Sequence, residues 1–355
     1  MAGVAAILVA GVFSLGCCAF SAPRYQGPRS DHFDGERFRN QGEVAEHGWS
    51  DFWKWSRNRE QGPWREWTDA EPGPPPPRRV GDGAIRVTFV NHATTLVQLD
   101  GVNVLTDPIW SDRASPFGFA GPKRVRPPGI RFEDLPPIDA VLVSHNHYDH
   151  LDLPTLRRLS EAFGPRVFAG LGNAQFLERE GISRATDLDW WQSVELRNGV
   201  RLTAVPVQHF SGRGMCDRAA TLWAGYVLEG QGGKVFFAGD TGYGRHFAQI
   251  RERFGQPALS ILPIGAFRPE WFMHPVHVTP DEAVQAHRVL GSRQSVAMHF
   301  GTFILADDGQ NEPVQRLRAA LARERISAGE FRVLGFGEGL DVAPQQTPNP
   351  KPHSP

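Results

Sequence analysis

Residues 141–150 read VLVSHNHYDH, and the last six of them hold His145, His147, Asp149 and His150. Imidazole and carboxylate together suit zinc and similar divalent ions. The run DAVLVS that leads into the cluster is short, apolar and β-branched, the composition of a strand buried on both faces. A rigid strand therefore aims the cluster. Alternate residues of an extended chain point the same way, so His145 and His147 can share one ion while Asp149 and His150 face a second. A lone histidine at a strand end is more often a structural hydrogen bonder than a ligand. Four ligand-type side chains within six residues leave little for core packing.

Three further groups share this context: His209 ends TAVPVQH, Asp240 ends KVFFAGD and His299 ends SVAMH, each a polar residue just past an apolar run. Strand ends on one edge of a sandwich make one site. The assignment that follows places His145, His147 and His209 on a first zinc, Asp149, His150 and His299 on a second, with Asp240 bridging. Two zincs roughly 3.5–4 Å apart hold a hydroxide whose parent water has its pKa lowered to about 7, a nucleophile at neutral pH. Structural zinc sites are coordinatively closed, whereas seven donors shared between two ions leave room for water. This favours an enzyme over the alternative of an envelope-anchored zinc-binding protein with little turnover.

The elements that must position these groups alternate along the chain. IRVTFV, TTLVQLD and VNVLTD predict three strands, the last two joined at Asp100–Gly101, a strong hairpin signal. A helix is expected from Pro154 and another through NAQFLERE to a stop at Gly181. Strands at VRLTAVPV, TLWAGYVLEG and KVFFAGD follow, then a helix in RHFAQIRERFG, a strand in ALSILPIG, a helix in TPDEAVQAHRVLG and a strand in SVAMHFG. Thr279 and Glu282 form a capping box with Pro280 at the first helical position. This order predicts an α/β sandwich with helices on its outer faces.

The chain has 355 residues, 40% of them apolar, enough for a sizeable core. Lys plus Arg is 38 against 39 for Asp plus Glu, which argues against a nucleic-acid partner. The cysteines are Cys17, Cys18 and Cys216, so neither a disulfide framework nor a Cys-type zinc site is expected. Residues 1–23 carry no charged side chain and read as a signal, lipoprotein or membrane-anchor segment. SLGC at 14–17 resembles a bacterial lipoprotein processing site, with Ser14 where leucine is usual. A plain signal, an uncleaved anchor and a misassigned start are the alternatives. The expected location is the bacterial cell envelope, as a membrane-anchored lipoprotein or in the periplasm.

Residues 24–83 form an aromatic-rich arm that closes in the Pro-rich linker EPGPPPPRR. Trp49, Phe52 and Trp53 share one helical face, while Trp55, Trp64 and Trp67 follow. These rings either pack on the main domain or touch lipid. Residues 84–340 are expected to form the domain that carries the metal-ligand candidates, and 341–355 a flexible tail.

The stretches VTFVNHATTLVQLDGVNVLTDPIWSDRASPFGFAGPKRVRPPGIRFEDLPPIDAVLVSHNHYDHLD, LDWW, FFAGDTGY, LPIGAFRPEWFM, HVTPDEAV and GTFILA are collinear over about residues 85–335. They resemble the branch of the metallo-β-lactamase fold superfamily formed by N-acylphosphatidylethanolamine-hydrolysing phospholipases D. The resemblance implies a four-layer αββα sandwich, two Zn2+ per chain, and cleavage of a phosphodiester to phosphatidic acid and an N-acylethanolamine by metal-bound hydroxide. It implies that Asp107 orients a ligand histidine, where a turn-forming Asp before Pro108 is the plainer reading. It also implies that His277 contacts substrate, against a loop histidine bonded to backbone. A metal-bound water or Asp149 is the candidate general acid. Arg213 and Arg218, in the loop FSGRGMCDR after His209, either meet a phosphate or are plain loop residues. Expected partners are a phospholipid or other phosphodiester substrate and a membrane surface, with a homodimer left open. A lactonase or other ester hydrolase is the alternative within the enzyme class, distinguished by whether a wide apolar groove leads to the metals.

Overall fold

The computed structural model describes residues 20–342. Residues 1–19, which carry most of the signal or lipoprotein segment, and residues 343–355 of the tail lie outside the described residues. In chain order the elements are α1 (Trp49–Arg57), β1 (Ile85–Asn91), β2 (Thr94–Leu99), β3 (Val102–Thr106), β4 (Ala140–Val143), α2 (Leu153–Phe163), β5 (Arg166–Gly170), α3 (Ala174–Arg179), β6 (Ala185–Leu188), β7 (Ser193–Glu195), β8 (Arg201–Val205), β9 (Gly225–Gly230) and β10 (Gly233–Phe237). There follow α4 (His246–Phe254), β11 (Leu259–Pro263), α5 (Glu270–Met273), α6 (Pro280–Leu290), β12 (Gln294–Met298), α7 (Glu312–Glu324), β13 (Phe331–Arg332) and β14 (Gly339–Val342).

The strands make two seven-stranded sheets, ordered β14-β1-β2-β3-β4-β5-β6 and β13-β12-β11-β10-β9-β8-β7. Each sheet has an antiparallel half that continues into a parallel half, at β3–β4 in the first and β10–β11 in the second. Phe89, Val97, Leu142 and Phe168 of the first sheet pack against Leu202, Tyr226, Phe237 and Ile261 of the second in one cluster. The outer face of the first sheet is covered by Leu156, Leu159, Phe176 and Leu177 of α2 and α3. Phe247, Ile250, Val284 and Leu317 of α4, α6 and α7 cover the second. The result is the four-layer αββα sandwich. Strands covered on both faces account for the near-continuous apolar runs in the sequence.

Local chemistry sets the element ends. Asp100 and Gly101 sit at φ 49° and 74°, the left-handed pair that a two-residue hairpin turn needs. The capping box is formed: Glu282 N donates to Thr279 Oγ1 at 3.2 Å and Thr279 N to Glu282 Oε2 at 2.9 Å. The strand expected through VRLTAVPV stops at Val205, because Pro206 has no N–H for the ladder.

The arm is docked over much of its length. Gln98 and Asn103 donate to the carbonyls of Pro77 and Arg78 at 2.8 and 2.9 Å, so the Pro-rich linker lies along the first sheet. Trp55 Nε1 and Arg59 Nε reach Asp307 at 3.0 and 2.7 Å, and Trp64 Nε1 donates to the Asp308 carbonyl at 2.8 Å. By contrast, α1 buries none of its residues, and Trp49 and Trp53 are 59% and 57% exposed. Packing therefore describes Trp55 and Trp64 and does not describe Trp49, Phe52 or Trp53. Cys216 is disulfide-bonded, where the sequence led to no disulfide framework. Among the described residues no helix is long and apolar enough to cross a membrane.

Candidate metal centre

Asp107, His145, His209, Asp240 and His299 each follow the carboxyl end of a strand, respectively β3, β4, β8, β10 and β12, so five strands deliver polar groups to one edge of the sandwich. His147 Nδ1 lies 2.8 Å from His145 Nε2 and 3.4 Å from His209 Nε2. Beside this trio, His150 Nε2 is 3.2 Å from Asp149 Oδ2 and 3.1 Å from Asp240 Oδ2. His299 Nε2 is 3.4 and 3.1 Å from the same two oxygens. Asp240 Oδ2 is also 4.0 Å from His209 Nε2, which sets it between the two groups. The structure thus brings together all seven residues that the sequence assigns to ions.

His277 joins them, its Nδ1 3.8 Å from Asp240 Oδ2 and its ring 5.2 Å from that of His209. That nitrogen is buried without a hydrogen-bond partner, unlike a loop histidine bonded to backbone. Asp107 takes the orienting place: His150 Nδ1–H donates to its Oδ2 at 2.6 Å, and Ser144 N and Oγ steady the carboxylate, each at 2.6 Å. His209 Nδ1–H donates to the Val276 carbonyl at 2.9 Å, which leaves the Nε2 lone pair facing His147.

The buried donors are poised for a cation. Burial alone would raise the Asp149 and Asp240 carboxyls, but the surrounding imidazoles, His150 foremost, hold both well below the usual carboxylate range. Burial pushes His147 and His277 down to about 4, so their lone pairs stay free at neutral pH. Against the same burial, Asp240 and then Asp149 pull His299 up to about 9. Positive charge is what the two carboxylates call for. His150 Nε2, His299 Nε2 and Asp240 Oδ1 are buried with no hydrogen-bond partner, a costly state unless something binds them. Mixed nitrogen and oxygen donors fit a divalent transition ion.

Sequence reasoning missed two residues here. His92, in the turn between β1 and β2, places Nε2 2.9 Å from Asp149 Oδ2. Asn40 of the arm donates to the His209 carbonyl at 2.8 Å and accepts from the His209 N–H at 3.0 Å. Arg213 and Arg218, equivalent in the sequence, separate in the structure. Arg213 Nη1 donates to the carbonyls of Asn146 and Leu151 at 2.9 and 3.0 Å, clamping the HNHYDH loop at both ends. Arg218 is exposed and lies 3.9 Å over the Phe210 ring, which itself abuts His147 and His209. The cleft beside His209, about 520 Å³, is lined by Arg37, Glu43, Glu46 and Arg218 among others. Its lining is mixed, since Phe38, Val44, Phe210, Trp223 and Val276 share it with these charged groups.

Residues 102–300 match the family described as "Beta-lactamase superfamily domain". The chain is 38% identical over 270 residues to N-acyl-phosphatidylethanolamine-hydrolyzing phospholipase D 1 of Caenorhabditis elegans, across 72% of this chain and 76% of that one. It is 30% identical over 222 residues to a UPF0173 metal-dependent hydrolase of Methanopyrus kandleri, across 62% and 85% of the two chains. The solved structure of a metallo hydrolase from Ignicoccus hospitalis covers 74% of this chain and 100% of its own at a TM-score of 0.55 and 23% identity, a likeness of fold. With its sandwich and its His/Asp edge, the chain belongs to the metallo-β-lactamase superfamily of metal-dependent hydrolases. Within that superfamily it falls in the branch similar to the N-acylphosphatidylethanolamine-hydrolysing phospholipases D.

Proposed function

We propose that the protein is a zinc-dependent phosphodiesterase of phospholipase D type, cleaving N-acylphosphatidylethanolamine-like lipids to phosphatidic acid and an N-acylethanolamine. The observation that carries this reading is the 38% identity over 270 residues with the nematode phospholipase D. That identity is joined to a convergent set of seven His and Asp donors. His145, His147 and His209 would hold the first ion, Asp149, His150 and His299 the second, and Asp240 both. Bound divalent ions supply a water acidified to near neutrality and positive charge against phosphoryl oxygens.

The chain's own residues do the rest. Asp107 and the Val276 carbonyl fix the tautomers of His150 and His209, which keeps their Nε2 lone pairs on the inner side. His277, with its unpartnered Nδ1 beside Asp240, touches the phosphate or the leaving group. Asp149 is 13% exposed against 2% for Asp240, so it is the carboxylate on the open side; ionised at rest, it would take the proton lost by the attacking water and hand it to the leaving alkoxide.

We further assign the protein to the cell envelope, with residues 24–83 as an arm and a hydrolase domain from residue 84 that runs two residues past the expected end at 340, to the end of β14 at Val342. Its substrate is met at a membrane surface. Trp49, Phe52, Trp53 and Trp271 are exposed, and Lys54 Nζ lies 4.7 Å over the Trp271 ring, a combination suited to the headgroup layer. Trp271 belongs to α5, and the His277 N–H bonds back to the Met273 carbonyl of that helix at 2.9 Å, so this surface adjoins the centre.

The test is to incubate an N-acylphosphatidylethanolamine with zinc-loaded protein in oxygen-18 water and weigh the products. Attack at phosphorus puts the label into phosphatidate and none into the N-acylethanolamine. Label in a fatty acid, or no lipid cleavage while a lactone turns over, rejects the phosphodiesterase reading.

A further inference from the structure

We infer that His92 is a positioning residue for the second half of the metal centre: it donates Nε2–H to the Asp149 oxygen that faces the ion and anchors the His299 backbone through its own carbonyl. The inference rests on the assignment of Asp149, His150 and His299 to one ion. His92 occupies the short turn between β1 and β2 at φ 48°, just after the register of those strands shifts between Phe89 and Asn91. Such irregularities re-aim side chains beside active sites. The imidazole is turned inward, 2% exposed, with its ring 4.1 Å from that of His299 and 5.3 Å from that of Phe303.

Three contacts define the role. His92 Nε2 is 2.9 Å from Asp149 Oδ2, the same oxygen that lies 3.2 Å from His150 Nε2 and 3.4 Å from His299 Nε2. Oδ2 is thereby held by the imidazole while it lies within 3.4 Å of both Nε2 atoms assigned to the ion. The His92 carbonyl accepts the His299 N–H at 2.7 Å, and the His92 N–H donates to Thr302 Oγ1 at 3.1 Å. The loop that carries His299 is thus tied to the same turn. Two of the ligands of one ion depend on a single residue.

His92 is not itself placed as a ligand. His92, Asp149, His150 and His299 present donor atoms within 4.8 Å of one another, but His92 Nε2 is engaged by the Asp149 carboxylate at 2.9 Å, while His150 Nε2 and His299 Nε2 have no hydrogen-bond partner. An N–H that donates has no lone pair to coordinate with. Ligating carboxylates are commonly held by such an outer partner, whose loss costs about 10–100-fold in metal affinity.

The experiment titrates zinc against a competing chelator into metal-stripped wild type, His92→Ala and His92→Gln. In His92→Ala one of the two affinities should fall by about 10–100-fold while the other stays within about threefold. His92→Gln, whose amide Nε2 stands in for the imidazole N–H, should recover most of that loss. Both substitutions carry the same left-handed backbone cost, so the difference between them isolates the side chain. The Gln variant also keeps the test open if the Ala variant folds poorly. At saturating cobalt, the visible absorption bands of His92→Gln should match wild type, because the donor set is unchanged. A changed cobalt spectrum at saturation would make His92 a ligand and overturn the inference. Equal losses at both ions, no loss at either, or a Gln variant as weak as Ala would overturn it too. A wild type that takes up fewer than two ions would show that the ligand assignment had failed, and the inference would go with it.

Discussion

His145 and His209 are steadied by neutral groups, the Ser144 hydroxyl at 2.9 Å and the Val276 carbonyl at 2.9 Å, whereas His150 and Asp149 are steadied by the Asp107 carboxylate and the His92 imidazole. The two halves of one centre thus face different electrostatic problems. Removing one member of a buried charged network leaves its partner uncompensated, while losing a neutral hydrogen bond costs only that bond and the desolvation of one group. The second half should therefore be the one that outer residues control. The first half should depend mainly on its own three imidazoles.

A ligand replacement is the strongest way to break this comparison. His147→Ala removes a first-half donor, and the expected outcome is loss of one ion per chain and of nearly all hydrolysis. Asp107, His92 and the second-half donors remain in place, so the other ion is kept. Metal analysis of the purified variant checks this. Two retained ions with full activity would remove His147 from the set, and loss of both ions would show that the halves do not stand apart.

Asp107→Asn works at one remove and should cost less. The amide keeps the shape but not the charge, and its NH2 replaces one of the two oxygens, so either the Ser144 N–H or the pair formed by His150 Nδ1–H and the Ser144 hydroxyl meets a donor in place of an acceptor. Affinity for the second ion should fall by about 10–100-fold, with the first little changed. Chelator competition separates the two affinities. A uniform loss would mean that Asp107 supports the whole edge, through Ser144 and its bond to His145, rather than one half.

Much of the edge was legible because it rests on short-range rules. A period of two, an apolar run and a dense set of ligand types mark HNHYDH, and Asp100–Gly101 and Thr279–Glu282 carry their turn and cap chemistry in adjacent residues. His92 was hidden by its place in a hairpin turn, where a histidine gives no sign that it will meet Asp149 57 residues on. Asn40 meets His209 across 169 residues, through a backbone-like pair of bonds that any asparagine is capable of. The short strands β5, β6, β7, β13 and β14 also escaped, since two to five residues give little period to read, and β14 is a strand only because it pairs with β1 across the whole domain; the helix α7, which has no side-chain cap at its start, escaped as well. Arg213 and Arg218 looked alike because their difference lies in which carbonyls happen to approach.

The smallest effect is expected where neither half is touched. Trp49, Phe52 and Trp53 lie on α1, which buries none of its residues; their rings contact one another at 5.9 and 6.0 Å, and Phe52 also meets Trp55 at 5.8 Å. The helix is held instead by Trp55, stacked on Phe272 at 5.2 Å and bonded to Asp307. Replacing Trp49, Phe52 and Trp53 together by Ser should leave both metal affinities unchanged and shift stability by no more than about 0.5 kcal/mol per residue, the range of ordinary surface substitutions. If these rings enter a lipid headgroup layer, the triple variant should lose binding to and turnover on N-acylphosphatidylethanolamine vesicles while keeping its rate on a soluble short-chain analogue. Equal losses on both substrates with a lower melting temperature would make the three rings a packing element. The reverse substitution, Trp55→Ser, sharpens the contrast: it removes the stacked anchor and the Asp307 bond together, so it should lower the melting temperature and act on both substrates alike.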